Sequence, residues 1–572
     1  GMGAVSRGAW WACAVVGLLM VAGAFARPGG GRQKYGARDA EELARLSMKS
    51  TNRTLVNNAV WPMPRKIIIS ETVELAVDWA GFTFSYGGAN QVMLDAIARY
   101  ATLLFTEKKI SGPPMLSEWS MHGTREGVAP LPSATVHSLE ITLENDTEGE
   151  IGFTTEESYV LTISENGTAV LSAPNTFGAM HGLETFSQLL YTYEDAASGS
   201  DVFLRPTSIE DAPRFQWRGL LIDTSRHYLP ADVIYRAIDG MAWSKLNVLH
   251  WHIVDGQSFP YDSEVLPLLS QGAYSPQETY SLDLCRDIVK YANDRGVRVV
   301  VEFDMPSHAG PAWGIGYPFL TMNCSTPVCS LPTQHYQDPC CDFPFDPSNE
   351  EVYALLDQLI AEVSSVFPDQ FLHMGGDEVS YNCWLTQSIL QWAQQNGLDQ
   401  LTDVEQYFLT RVQHFAVNND KLIVNWEEVF TSNYTLQPNT IIEVWKDSTT
   451  LNEVVASGLG ALLSYGWYLD HLDLTWEDFY SNEPFTPSMT DEMKLLVHGG
   501  EACMWAETVD FTSFDVKVWP RAAAAAERLW SPEDVNIPFV AMHRLQDQRC
   551  RLVHRGINAS PIMPGPQCPG VY

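Results

Sequence analysis

The chain reads as an α/β protein, a (β/α)8 barrel preceded by a smaller α+β domain. Three observations predict this. From Arg214 onward, eight short apolar runs recur at 219–223, 247–254, 297–303, 371–374, 422–425, 441–444, 461–464 and 497–504. Strands buried on both faces of a parallel sheet read as such continuous runs. Helical patterns stand between most of them, at 231–246, 282–295, 351–366, 404–417 and 449–457. The last run is followed by 519–530, where Ala522 to Ala526 strongly favour helix. Alternating β and α units close into a barrel of parallel strands. The third observation is the long connection 465–494 between runs seven and eight, typical of an active-site insertion.

The elements before the barrel follow in order. Arg7 precedes an apolar run from Ala9 to Ala26 that ends in Ala24-Phe25-Ala26. A basic residue, a short apolar core and a small-x-small site make a signal peptide over 1–26. Gly1, ahead of Met2, reads as a cloning remnant. An uncleaved anchor is the alternative, but the run is only marginally long for a span. Residues 27–58 are polar and rich in Gly and Arg, a linker or arm. Residues 59–206 mix strands, such as 138–143 and 159–163, with helical spacing at 93–105 and 176–191. The barrel domain is expected over 207–572.

Composition excludes some functions. The 572 residues carry a formal charge of −35, whereas nucleic-acid binding needs basic surface for phosphates. With 45% hydrophobic and 11% aromatic residues, there is ample material for large cores. Export makes the ten cysteines readable as disulfide candidates. Cys13 lies in the leader, so an odd number remains and at least one is unpaired within the chain. Cys324, Cys329, Cys340 and Cys341 share one Pro-rich insertion, and Cys550 and Cys568 lie near the end. Cys285 and Cys503 read as buried free thiols. Sequons at Asn52, Asn145, Asn166, Asn323, Asn433 and Asn558 are glycosylation candidates that agree with export. The destination within the secretory route, lysosome, vacuole or cell exterior, stays open.

A barrel of this kind keeps its chemistry at the C-terminal ends of its strands. The residues just past the runs are Arg226, Asp255, His308, Asp377 with Glu378, Trp426, Trp445, Trp467 with Tyr468 and Asp470, and Trp505 with Glu507. Carboxylates, an Arg, a His and several aromatics therefore converge on one mouth. Aromatic faces suit the apolar faces of sugars and N-acetyl groups, and forked polar groups suit hydroxyls. The adjacent acids Asp377 and Glu378 cannot both ionise cheaply, so their pKa values split. The expectation is a burial-raised Glu378 as proton donor beside an ionised Asp377. Asp223 and Asp304 read as hydrogen-bonded supports, Arg218 and His227 as braces of the first strand. Glu427 and Glu428 read as structural, and Trp251 and Trp467 as packing residues.

Four stretches resemble β-N-acetylhexosaminidases of glycoside hydrolase family 20. They are Arg218-Gly-Leu-Leu-Ile-Asp-Thr-Ser-Arg-His-Tyr-Leu-Pro230, Leu246-Asn-Val-Leu-His-Trp-His-Ile-Val-Asp255, His373-Met-Gly-Gly-Asp-Glu378 and Gly499-Gly-Glu-Ala-Cys-Met-Trp505. The resemblance covers the barrel and, more loosely, the α+β domain. It implies an exo-acting enzyme that removes terminal β-linked GlcNAc or GalNAc from glycans with retention. The substrate's own 2-acetamido oxygen would attack C1 and form an oxazolinium ion, and no cofactor is implied. By resemblance Glu378 is the general acid and then the base. Asp377 holds the acetamido N–H, and Tyr468 donates to the acetamido oxygen. Trp426, Trp445 and Trp505 box the methyl. Arg226, Asp470 and Glu507 bind sugar hydroxyls, with Asp255 and His308 near the acid and His252 further back.

The resemblance also implies bridges Cys324–Cys383 and Cys550–Cys568, with Cys329 joined to Cys340 or Cys341. Family members often dimerise, so a homodimer is allowed. At the outer rim the family pairs an Asp like Asp470 with neutral sugars, while His471 beside it adds charge at acid pH. The loop Asp255-Gly256-Gln257 departs from the family's pattern but keeps the acid. Other barrel chemistries fit the sequence less well. His250-x-His252 has the spacing of a zinc pair, but runs five and six end in Trp rather than further His. A two-carboxylate glycosidase needs a Glu after run seven, where Tyr468 and Asp470 stand. A catalytically inactive glycan-binding barrel is expected to lack Asp377 or Glu378, and both are present.

Overall fold

The computed structural model describes residues 60–106, 110–111, 132–147, 149–192, 202–322, 343–564 and 568. The expected leader and arm, Asn52, Asn323, Cys324, Cys329, Cys340 and Cys341 lie outside the described residues. The sequons Asn145, Asn166, Asn433 and Asn558 are exposed.

The N-terminal domain is built on a six-stranded mixed sheet in the order Lys66–Ile69, Thr207–Asp211, Tyr159–Ile163, Ala169–Ala173, Ser138–Leu143 and Thr83–Tyr86. Tyr159–Ile163 alternates buried and exposed residues, as a strand with one covered face must. The cover includes helix Thr176–Gln188, which packs on the sheet and on helix Gln91–Thr106. Asn175 starts the former by accepting from the Phe177 and Gly178 amides at 2.9 and 3.2 Å. This helix ends at Gln188, short of the expected 191, because Tyr191–Thr192 joins a second, five-stranded sheet. The strand Thr207–Asp211 lies beyond Pro206 yet pairs with two strands of the first sheet.

Eight parallel strands then close a barrel: β1 Trp217–Asp223, β2 Val248–Val254, β3 Arg298–Phe303, β4 Phe371–His373, β5 Leu422–Trp426, β6 Ile441–Val444, β7 Gly460–Leu463 and β8 Val497–Met504. β8 pairs with β1 to complete the ring. Each coincides with an expected run to within two residues at either end. The helices Ala231–Trp243, Leu282–Asn293, Glu350–Val366, Leu401–Asn418, Ser448–Ala456 and Arg521–Trp530 match the expected patterns. Their apolar stripes join the strands' outer faces in one core. Among the described residues, no helix is long and apolar enough to cross a membrane.

The two domains are clamped by buried charge. Arg218 at the start of β1 donates from Nη1 and Nη2 to the two oxygens of Glu157, at 3.0 and 2.5 Å. His181 and Asn247 contact the same carboxylate. Burial opposes the charge on Glu157, but Arg218 and His181 outweigh it and hold its pKa down to about 2. Beside it Lys245 pairs with Asp211 at 3.1 Å, both fully buried. Arg218 therefore joins the domains as well as bracing β1. Removing one partner of such a pair strands a buried charge, at a cost of about 3–5 kcal/mol.

Cys550 and Cys568 are bridged. Cys383 is disulfide-bonded, and its expected partner Cys324 lies outside the described residues. Cys285 and Cys503 are free and buried, as their apolar surroundings predict.

Candidate active site

The acid turn is shaped by two glycines. β4 ends at His373, and the chain then turns through Gly375 and Gly376 at φ 59° and 98°. A Cβ on Gly375 would lie 1.6 Å from Asp304 Oδ1, so only glycine fits there. Asp304 fixes the turn by accepting from the Gly376 amide at 3.0 Å. Asn425 and Trp426 of β5 hold the Gly375 carbonyl from the other side, at 2.9 and 3.0 Å. The turn delivers Asp377 inward and Glu378 outward. Glu378 itself sits at φ 48°, a left-handed conformation that costs a non-glycine residue about 1–2 kcal/mol.

The protonation order differs from the one expected from sequence. Asp377 is buried, and both its burial and the neighbouring Asp304 carboxyl push its pKa well up, against the pull of His308. Asp304 is pushed up to about 8, first by burial and then by Glu302 and Asp255. Glu378 instead is 56% exposed at the side chain, with Oε2 3.6 Å from His308 Nε2. Contact with His308 lowers its pKa against a partial burial penalty. In the free site these shifts favour the charge on Glu378 and the proton on Asp377. The physical reason is depth, since the inward neighbour of the pair loses its water and the outward one keeps it.

His308, also at positive φ (54°), sits among carboxylates. Its Nδ1 is 3.3 Å from Asp255, and its Nε2 lies 3.8 Å from Asp377 and 3.9 Å from Asp304. Burial opposes its charge, but its carboxyl neighbours, the ionised Asp255 first, outweigh it and hold the pKa well above the usual histidine range.

Across from the acid turn stands an aromatic cluster. Trp426, Leu221 and Cys503 form its buried base, and Trp445, Tyr468 and Trp505 its partly open walls. Trp445 and Tyr468 lie parallel with centroids 6.0 Å apart, and Trp426 and Trp505 are 6.0 Å apart. Glu428 holds Trp445 through its indole N–H at 3.0 Å. Tyr468 is placed by a bridge to Cys503 that continues β7 alongside β8. Burial, then Cys503 and Glu443, push its pKa well up, so its hydroxyl stays a hydrogen-bond donor.

Polar groups surround the cluster. Arg226 donates to Asp223 at 2.9 Å and to Gln257 at 3.0 Å, and pairs with Asp255 at 2.8 Å. Its guanidinium lies 5.2 Å from the Trp505 ring centre. Glu507 is 4.0 Å from Arg226 and half exposed. Asp223 also accepts from the Ala506 amide at 3.1 Å, tying the ends of β1 and β8 together. Asp377 Oδ1, His308 Nε2 and Asp470 Oδ1 are buried yet lack a hydrogen-bond partner among the described residues. Such atoms are expected where a polar ligand completes the bonding.

Every residue expected at the mouth is described. Contacts link Arg226, Asp255, His308, Asp377 and Glu378 on one side, and Trp426, Trp445, Tyr468 and Trp505 on the other, with Arg226 between Trp505 and Glu507. Sequence reasoning missed Gln257 and Tyr274, whose hydroxyl donates to the Arg226 carbonyl at 3.0 Å. It also missed Leu221 and Cys503 at the base of the box, and Glu302 beneath Trp426. The signal for the last was a single acid inside an apolar run, Val299-Val-Val-Glu302. Trp251 and Trp467 are fully buried packing residues, as expected. The zinc-like pair His250 and His252 is committed elsewhere, because all four ring nitrogens contact Glu501, Glu302 or Asp255 at 2.6–3.0 Å.

A (β/α)8 barrel with one acid turn, an aromatic box and forked polar groups has carbohydrate-site chemistry. Comparison with known proteins gives the same class. The model of the glycosyl hydrolase family 20 catalytic domain matches residues 215–533, and a "beta-acetyl hexosaminidase like" model matches 60–189. Beta-hexosaminidase 1 of Arabidopsis thaliana is 37% identical over 518 residues, covering 88% of this chain and 91% of the relative. Beta-hexosaminidase subunit beta of Homo sapiens is 41% identical over 435 residues, 75% of this chain and 76% of its own. The crystal structure of a Flavobacterium johnsoniae chitobiase superposes with a TM-score of 0.73 at 28% identity, covering 87% of this chain and 73% of that one. The chain belongs to glycosyl hydrolase family 20.

Proposed function

We propose that this protein is an exo-acting β-N-acetylhexosaminidase, a glycoside hydrolase that removes terminal β-linked GlcNAc or GalNAc from glycans with retention. The observation that carries the proposal is the pairing of one acid turn with an aromatic box that suits an acetyl methyl. Glu378 protonates the glycosidic oxygen as the C1–O bond breaks. The acetamido oxygen attacks C1 and closes an oxazolinium ring. Asp377 accepts the acetamido N–H and stabilises the positive charge, and Tyr468 donates to the acetamido oxygen. Trp426, Trp445 and Trp505 enclose the methyl, while Arg226, Asp470 and Glu507 take sugar hydroxyls. Glu378, now a carboxylate, takes a proton from the water that attacks C1, which breaks the C1–oxygen bond of the ring. Asp255 and His308 hold the acid's surroundings. The intact acid pair disfavours an inert glycan-binding barrel.

In the free site the shifts favour the proton on Asp377, whereas this chemistry needs it on Glu378. Sugar binding moves it in the required direction. A sugar over Glu378 strips its water and raises its pKa, and the acetamido N–H donates to the Asp377 carboxylate and lowers its pKa. The pair works as one singly protonated unit. Activity is lost in acid when Glu378 takes a second proton, and in base when the unit gives up its only one. Turnover of p-nitrophenyl N-acetyl-β-glucosaminide should therefore show a bell-shaped kcat/KM. The acid limb falls below the usual 4.5 of Glu, and the alkaline limb lies well above the usual 3.8 of Asp. No turnover by folded protein between about pH 4 and 8 would contradict the assignment.

The exposed sequons support passage through the secretory route, toward lysosome, vacuole or exterior. The relatives named as subunits support assembly with a second copy of the chain.

A further inference from the structure

Barrel interiors of this class are usually filled by layers of branched apolar side chains. Beneath the aromatic box, this one holds buried His250, His252, Glu302, His373, Glu443 and Glu501. They meet across the interior, since β2 reaches β8 and β3 reaches β5. Glu302 is the hub. Its Oε2 contacts His252 Nδ1 at 2.6 Å and His250 Nε2 at 3.0 Å. Its Oε1 accepts from the Trp426 indole N–H at 2.8 Å and contacts His373 Nδ1 at 3.1 Å. Burial opposes ionisation of Glu302, but His373 and His252 outweigh it and hold its pKa well below the usual range.

Two branches run from this carboxylate to groups at the mouth. One is direct, to Trp426 of the box. The other passes through His252, whose Nε2 contacts Asp255 at 2.9 Å, and Asp255 in turn holds Arg226 and His308. His308 is the neighbour of both Asp377 and Glu378. We propose that Glu302 is a positioning residue for the reaction, setting both the acetyl box and the sugar- and acid-side groups from one buried point. The inference rests on the hexosaminidase assignment.

Glu443 supplies the internal comparison. It is as deeply buried as Glu302 and lies one strand from Trp426, but its two oxygens bond neither that indole nor His252. Burial and Glu501 push its pKa up to about 7, so it is neutral in acid and a Gln there is close in shape and charge. Glu302→Gln replaces an ionised hub with a neutral amide whose NH2 end can only donate, so it cannot keep all four contacts, the Trp426 indole N–H among them.

The test measures kcat and KM of wild type, Glu302→Gln and Glu443→Gln at about pH 5, with N-acetyl and N-propionyl p-nitrophenyl β-glucosaminides. Thermal unfolding and near-UV circular dichroism monitor the fold. In Glu302→Gln, kcat/KM for the N-acetyl substrate should fall on the order of 100-fold, the scale of a misplaced reacting group. Its preference for N-acetyl over N-propionyl should shrink as the box wall loosens. Glu443→Gln should stay within about threefold of wild type with unchanged preference. A folded Glu302→Gln with wild-type kcat/KM and preference overturns the proposal. So do equal losses in the two variants with preference unchanged. If Glu302→Gln fails to fold, His252→Gln cuts the second branch alone, and wild-type kcat/KM there overturns it equally. An inactive wild type would instead sink the hexosaminidase assignment.

Discussion

Glu378→Gln should lower kcat/KM by about 10²- to 10⁴-fold, the usual contribution of a positioned acid–base group. The geometry adds a signature beyond the size. An alkyl glycosidic oxygen, as in a chitin disaccharide, cannot depart without a proton. A p-nitrophenolate can. The loss should therefore be larger for the disaccharide than for the aryl glycoside in the first chemical step. For the aryl substrate the second step should become limiting, because Gln cannot take a proton from water. The acid limb of the pH profile should vanish too, since the group that titrates there is gone. The variant should fold normally, because Glu378 is more than half exposed at the side chain and pairs with His308 at a distance of 3.6 Å rather than through a close buried bond. Equal small losses on both substrates would remove Glu378 from the role of proton donor.

Asp377→Asn should cost on the order of 100- to 1,000-fold, and almost all of it in kcat. Asn keeps the shape of the protonated Asp377 of the free site, and its carbonyl still accepts the acetamido N–H. Substrate binding, and so KM, should change little. What Asn cannot supply is a carboxylate when positive charge develops on the oxazolinium ring. Stability should hold or rise, because the substitution removes an acid that burial and Asp304 disfavour in its charged form. An Asp377→Asn enzyme with unchanged kcat and raised KM would make Asp377 a binding group only.

Much of this site was legible because parallel barrel strands are buried on both faces. Each therefore reads as a short apolar run, and the polar and aromatic residues within about five positions beyond it mark the mouth. Arg226, Asp255, His308, Trp426 and Trp505 were all found that way. The split of the acid pair was legible as a split, but its direction was not. Asp377 and Glu378 are adjacent in sequence, and which one points inward depends on a turn held by Asp304 and by a left-handed Glu378. Neither feature has a local signature. Gln257 and Tyr274 were missed because they lie on loops between β2 and β3, where position follows no period. The polar interior was half visible, as His250-x-His252 and lone acids at Glu302, Glu443 and Glu501. Only the closed ring shows that they meet. The sheet strand Thr207–Asp211 was missed because its partners lie far away in sequence, so local pattern could not assign it to the first domain.

The acetamido oxygen's role as nucleophile can be tested by weakening that oxygen alone. The kcat/KM values of p-nitrophenyl β-glucosaminides carrying N-acetyl, N-fluoroacetyl, N-difluoroacetyl and N-trifluoroacetyl groups should fall steadily. Each fluorine withdraws electrons from the attacking carbonyl and should cost on the order of tenfold, or about 1.4 kcal/mol. A series that stays flat across all four substrates would mean that an enzyme group, not the substrate, attacks C1.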